Sequence, residues 1–293
     1  MTWIPPDLSG RVAVVTGASR GIGKCVALRL AECGADIVVA ARSVKSHDRL
    51  PGTIHDTVRE IEALGRRALA IRTNVRDADA VEAMIDRAAA EMGRIDILIN
   101  NAGALWWETV ERTPMKRFDL VMDVNARAAF AAAHAALPHM VRAGGGHIFV
   151  YSPPVDLGLL PGKVAYCISK FGMTMLAQGL AAEARAQNVA CAALWPATVI
   201  ESQASINHGL GTRAQWRKPT ILADATLAII GRPIDDVTGR AFIDEEALAE
   251  VGVTDLDAYA CVPGGSPMRI IGDAARSSIW THRTGSEQRG AVD

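Results

Sequence analysis

Net charge is the first thing this sequence lacks. A formal balance of −1 at pH 7 gives no long-range attraction to nucleic acid or an anionic membrane. No run of like charges reaches the roughly five or six that mark an interaction tail, so neither class of partner is expected. Long apolar runs are missing too. The most apolar helical stretch, ARAAFAAAHAALPHMV at 126–141, is broken by Arg127, His134 and Pro138 and falls short of the roughly 18 consecutive apolar residues of a membrane span. It reads as a buried helix. The opening MTWIPPDLSGRVAVV has no basic segment followed by an apolar one and a small-residue cleavage site, so export is not expected. Cys25, Cys33, Cys167, Cys191 and Cys261 are odd in number and lack C-x-x-C spacing. They predict no disulfide framework and fit a reducing cytoplasm. The seven histidines show no paired ligand spacing, so no metal is expected.

What is present looks like one ordinary folded domain, with 49% hydrophobic and 22% charged residues. Short apolar runs alternate with longer helical patterns. RVAVVTG (11–17), ADIVVAA (35–41), ALAIR (68–72), IDILIN (95–100), HIFVY (147–151) and VACAALW (189–195) read as strands buried on both faces. TGRAFID (238–244) adds a seventh. Strand–helix alternation with right-handed crossovers predicts a doubly wound parallel sheet with helices on both faces. The domain is expected over 1–262. The remainder, 263–293, is rich in Gly, Ser and Arg with little periodicity, and reads as partly disordered or as an inter-subunit arm.

The first strand runs into TGASRGIG, Thr16 to Gly23. Gly17, Gly21 and Gly23 suit a tight turn that lets backbone approach a pyrophosphate at a helix N-terminus, which places Ser19, Arg20 and Ile22 in the same loop. A glycine turn alone is weak, but this one follows a strand and opens the periodic helix IGKCVALRLAECG. The second strand ends in Ala40, Ala41 and Arg42, where NAD sites usually carry an acid for the adenosine 2′-hydroxyl. With no acid there, Arg42 and Arg20 can grip a 2′-phosphate, so NADP(H) is the expected cofactor.

TGASRGIG, NNAG (Asn100 to Gly103), Val124-Asn125 and Tyr166-x-x-x-Lys170 occur here in one order, and together they resemble the short-chain dehydrogenase/reductase family over most of the chain. The resemblance implies a seven-stranded Rossmann-type α/β sheet and a homodimer or homotetramer built through the helices flanking the fifth strand. It also implies that Asn74 and Val75 sit at the adenine, although the family more often has Asp at the first. Asn101, Ala102 and Gly103 would flank the adenosine ribose, and Pro196, Thr198 and Val199 would lie near the nicotinamide, with Ala197 replacing the usual glycine. The stretches YSPP, ALWPAT and FIDEEALAEVGVTDLDAYACVPG resemble a narrower branch, that of hydroxysteroid dehydrogenase-like protein 2 and its bacterial relatives. Animal members of that branch carry a further sterol-carrier-like domain, and lipid transfer is not expected to carry over.

Tyr166 and Lys170 stand four apart, on one face of the helix predicted from AYCISKFGMTMLAQGL. A phenol near pKa 10 is a poor base, and a neighbouring ammonium and an oxidised nicotinamide are expected to lower it. Tyr166 is then the acid or base while hydride moves between nicotinamide and a small, apolar carbonyl or alcohol substrate. By resemblance, Lys170 also holds the nicotinamide ribose and Asn125 anchors a water. The family's serine position, thirteen before the tyrosine, is Pro153, which has no hydroxyl and no N–H. Ser152 either substitutes for it or bonds to backbone. Because of Pro153, a non-catalytic or weakly active NADP-binding protein is the alternative to a working enzyme. Trp106 and Trp107 read as pocket wall or core, and 201–219 as a substrate lid or a surface loop.

Overall fold

The computed structural model of the chain describes residues 3–46 and 51–270. Seven strands, β1 Val12–Thr16, β2 Asp36–Ala41, β3 Ala68–Arg72, β4 Ile97–Asn100, β5 Gly146–Tyr151, β6 Val189–Trp195 and β7 Ala241–Ile243, form one sheet in the order β3-β2-β1-β4-β5-β6-β7. Every pairing is parallel. The connecting helices are α1 Gly21–Glu32, α2 Ile54–Ala63, α3 Ala78–Met92, α4 Met115–Val121, α5 Ala128–Arg142, α6 Val164–Ala184, α7 Gln203–Asn207, α8 Thr220–Ile230, α9 Ile234–Val237 and α10 Asp244–Ala249.

Alternation along β1 builds the two core layers. Ala13 and Val15 pack with Leu30, Ile61 and Ile229 from α1, α2 and α8. Val12 and Val14 face the other way, onto Met84, Ala136 and Leu180 from α3, α5 and α6. This is the expected doubly wound, Rossmann-type α/β domain with helices on both faces. Strand order reverses between β1 and β4, and the crevice beyond their C-terminal ends is the usual ligand position in such sheets.

Local chemistry accounts for several boundaries. Asp77 caps α3 by accepting from the Asp79 and Ala80 N–H groups, and Gly93 ends it at φ 89°. Thr53 and Asp56 close a reciprocal capping box on α2. The seventh strand is shorter than expected, because Gly239 turns at φ 79° and pins its N–H to Cys191 O at 2.8 Å.

The helix read as buried differs from expectation. Residues Met122–Arg127 form a π-helical turn that fuses α4 to α5. On α5 only one face is covered: Ala129, Ala132, Ala133, Ala136 and Met140 are buried, while Phe130 is 61% exposed. The cause is a stripe of alanines that seats the helix close to the sheet and leaves its larger apolar residues outside. Among the described residues no helix is long and apolar enough to cross a membrane, and no cluster of His, Cys, Asp or Glu could hold a metal.

Residues beyond 262 return to the domain as far as Ile270, whose N–H donates to Ala197 O at 2.9 Å, while Met268 N–H donates to Gln215 O at 2.8 Å. The remainder of the stretch read as a tail, 271–293, lies outside the described residues, as does part of the loop after β2.

Candidate active site

The turn after β1 is shaped by close contact with the loop after β4. Gly17 sits at φ 71°, and a β-carbon there would meet Ala102 Cα at 2.9 Å. A β-carbon on Gly23 would come within 2.4 Å of Asn101 Nδ2. That Asn101 amide donates to Thr16 O at 2.9 Å, and Thr16 Oγ1 accepts from the Asn101 and Ala102 N–H groups at 3.1 Å. The NNAG loop therefore braces the glycine turn. At Gly21 a β-carbon would meet nothing within 4 Å, because that position opens onto a cleft. No side chain caps α1, and its N-terminal amides and dipole favour an anion.

The cleft encloses about 460 Å³. Gly17, Ser19, Arg20, Gly21, Ile22 and Gly23 line one part of it. Asn74 and Val75 after β3 and Arg42 after β2 line it on one side of the glycine turn, and Asn101, Ala102 and Gly103 after β4, with Tyr166 and Lys170, line it on the other. All of these were expected from the sequence. Others carry no motif that would have singled them out: Ser43 and Thr73 beside Arg42 and Asn74, and Gln203, Asn207 and His208 from the segment read as a lid. Pro196, Thr198 and Val199 do not line the open cleft. Thr198 is buried with no partner for its hydroxyl, and Val199 packs against Trp216 and Cys261.

Among the described residues no carboxylate lines the cleft, whose lining includes Arg20, Arg42 and Lys170. Arg20 is not free to reach outward as expected. Its Nε donates to Pro51 O at 2.8 Å, and its Nη2 donates to Ser43 Oγ at 2.8 Å and Gly52 O at 2.9 Å. Burial, then the like charge of Arg42, lowers its pKa. Arg20 thus holds the loop after β2 in place, and the exposed Arg42 is the guanidinium at the rim.

At the other end, α6 places Tyr166 and Lys170 one turn apart. Lys170 is buried, its ammonium donates to Tyr151 O at 2.9 Å, and burial lowers its pKa to about 8. Burial, then the neighbouring Cys167, raises the Tyr166 phenol. The lowering expected from the sequence depends on a bound oxidised nicotinamide, and the Lys170 ammonium is here turned to a backbone carbonyl. Asn125 lies in the π-helical turn. Its Nδ2 donates to Ala104 O at 2.9 Å and to Ser169 Oγ at 2.8 Å, and its Oδ1 accepts from Ala104 N at 2.8 Å. The side chain clamps the loop beside Gly103 to α6, so both Nδ2 hydrogens are used.

Ser152 requires a correction. Its hydroxyl shares a hydrogen bond of 2.8 Å with Thr174 Oγ1, which also accepts from Trp195 Nε1 at 3.2 Å. Thr174 is two helical turns beyond Tyr166, about 12 Å along α6, and the Ser152 hydroxyl is bonded to that side chain rather than to backbone. The pre-proline restriction keeps the end of β5 extended, and Ser152 N–H continues the ladder to Leu194 O at 3.3 Å.

Trp107 borders the phenol instead. Its ring stands edge-on to Tyr166, centroids 6.3 Å apart at 72°, and tilts against His208 at 6.1 Å. The Lys163 ammonium lies 4.9 Å over its face. Trp106 lies under the Arg117 guanidinium at 4.6 Å. Both indole N–H groups are enclosed without an acceptor.

Comparison with known proteins agrees with this geometry. Hydroxysteroid dehydrogenase-like protein 2 of Xenopus tropicalis is 42% identical over 260 residues, covering 88% of this chain but 62% of that protein, so the chain spans under two thirds of such relatives. A solved structure from Xanthomonas campestris, 41% identical, superposes with a TM-score of 0.86 over 91% of this chain and 99% of that one. A metagenomic short-chain oxidoreductase in complex with NADP is 29% identical, with a TM-score of 0.69 over 81% of this chain and 97% of its own. The family model described as short chain dehydrogenase matches residues 11–208, more than half of the chain, which therefore belongs to the short-chain dehydrogenase/reductase family of oxidoreductases.

Proposed function

We propose that the protein is an NADP(H)-dependent oxidoreductase that interconverts a carbonyl compound and its secondary alcohol, with Tyr166 as the acid or base. The observation that carries this reading is that Tyr166 and Lys170 line the same glycine-walled cleft as Arg20 and Arg42, with no carboxylate among the described lining residues. When bound, the nicotinamide supplies or accepts the hydride. In reduction, the carbonyl carbon gains that hydride with its electron pair, the π electrons move to oxygen, and oxygen takes the Tyr166 proton. The raised phenol suits the acid's role, because it stays protonated until the oxygen demands the proton. Lys170 keeps its charge below pH about 8 and holds the ribose. Asn125 fixes Ala104 and α6 relative to each other. By the family resemblance Pro196, Thr198 and Val199 belong to the nicotinamide end, where the enclosed Thr198 hydroxyl has no partner of its own.

The residues present fit an NADP-sized group. Gly21 leaves room at the helix N-terminus, and Arg42 and Ser43 offer the 2′-phosphate a cation and a hydroxyl with no acid to repel it. The NADP complex of a relative supports the same choice. A homo-oligomer built through α5 and α6 belongs to this reading. A second reading, a cofactor-binding protein with little turnover, draws on Pro153 and on the commitment of Ser152 to Thr174.

Turnover of a ketone and aldehyde panel with NADPH and with NADH separates the two readings. Turnover with NADPH is expected, and none with either cofactor would leave the second reading. Arg42→Ala should weaken NADPH binding by at least about tenfold, the loss of a charge-assisted hydrogen bond, and leave NADH binding unchanged by calorimetry. Equal affinities for the two cofactors in the unmodified protein would remove the NADP assignment.

A further inference from the structure

A carbonyl oxygen that gains charge during reduction needs a second hydrogen-bond donor besides the phenol, and the groups around Tyr166 can be sorted by what they already bond. Pro153 has no donor. Ser152 is paired with Thr174. Ser169 donates to Tyr166 O at 2.7 Å, the Asn125 amide is used on Ala104 and Ser169, and the Lys170 ammonium is turned to Tyr151 O. His208 is exposed. Among the described residues, one enclosed donor without an acceptor belongs to a ring that stands edge-on to the Tyr166 ring, the Nε1–H of Trp107.

We propose that the Trp107 indole N–H is the second donor to the substrate oxygen, the duty that Pro153 leaves vacant. This rests on the oxidoreductase reading and adds a residue to it. An enclosed N–H without a partner is uncommon in folded proteins, and each such group calls for an explanation. A substrate oxygen placed against the Tyr166 phenol supplies the missing acceptor once the His208 ring packed on the same indole moves aside. The Lys163 ammonium over the indole face draws electron density from the ring, which makes its N–H a stronger donor. Trp107 keeps its proton throughout, so it stabilises charge while Tyr166 transfers the proton. The segment 201–219 takes part through His208, which packs on the same indole and covers it from the solvent side.

The test is steady-state reduction of ethyl 3-oxobutanoate and cyclohexanone by NADPH in four proteins: unmodified, Tyr166→Phe, Trp107→Phe, and one in which β-(3-benzothienyl)alanine replaces Trp107. The last keeps the shape of the ring and loses only its N–H. Both Trp107 replacements should lower kcat by on the order of 10²-fold, with Tm and NADPH affinity close to those of the unmodified protein. Trp106→Phe, whose indole sits under Arg117, should leave kcat unchanged. If Tyr166→Phe loses turnover while the benzothienyl protein keeps it, the oxidoreductase reading stands and the proposal falls. Absence of turnover in the unmodified protein overturns both.

Discussion

At the scale of single residues, hydroxyls and guanidiniums near the cleft are mostly engaged with the protein itself. Ser152 and Thr174 are both buried, and each satisfies the other. Ser152→Ala should therefore act on stability and leave kcat alone. Thr174 keeps its bond from Trp195, so the loss is that of one hydrogen bond, about 1 kcal/mol, or a fall in Tm of about 2–4 °C. A melting curve beside kcat checks this, and a large fall in kcat at unchanged Tm would return Ser152 to the chemistry. Arg20 shows the same economy, since its contacts with Pro51, Gly52 and Ser43 set the loop that presents Arg42.

Among the elements, α5 and α6 present an unusual outer surface. Phe130 and Val141 on α5 are exposed, and so are Ile168 and Met175 on α6, the last at 71%. Large apolar side chains left exposed on two neighbouring helices are the kind of surface that a subunit contact covers. These are the helices on either side of β5, where the family resemblance places its interface. The expected outcome for the double variant Phe130→Glu, Met175→Glu is a fall in the mass measured by light scattering, from a dimer or tetramer to a smaller species. An unmodified protein that already runs as a monomer at micromolar concentration would refute the assignment.

For the whole molecule, two buried groups outside the cleft lining set opposing pH dependences. His147 is buried on β5, stacked on Phe149. Burial lowers its pKa from 6.5 to about 4. Between those values the unfolded chain binds a proton that the fold does not, so this contribution, about 3 kcal/mol, is present above pH 6.5 and lost on acidification toward 4. Asp244, at the start of α10, accepts from Ala197 N at 2.9 Å but leaves Oδ2 enclosed and unpartnered. Burial raises its pKa from 3.8 to about 7. Its contribution, about 4 kcal/mol, is present below 3.8 and lost as pH rises through 7. Over pH 4.5 to 6.5 the two nearly cancel. Relative to the unmodified protein, Tm of His147→Phe should fall more steeply as pH rises across that window, and Tm of Asp244→Asn should rise. Parallel profiles for all three proteins would show that neither group titrates as its burial demands.

Strand runs, the glycine turn, the NNAG loop and the Tyr166–Lys170 pair were legible in the sequence alone. Their signals are local: a two-residue or four-residue period, or a fixed spacing on one helix, survives without knowledge of what packs against it. The parallel sheet followed because an all-apolar strand demands cover on both faces. Tertiary structure alone decided that Ser152 pairs with Thr174, that Arg20 serves a loop, and that Trp107 borders the Tyr166 ring. Each of these depends on where a side chain at the end of a strand or loop points, and on which distant residue meets it there. Direction at such ends is set by packing between elements far apart in sequence, as between the loop after β4 and the start of α6, and no periodicity along the chain records it.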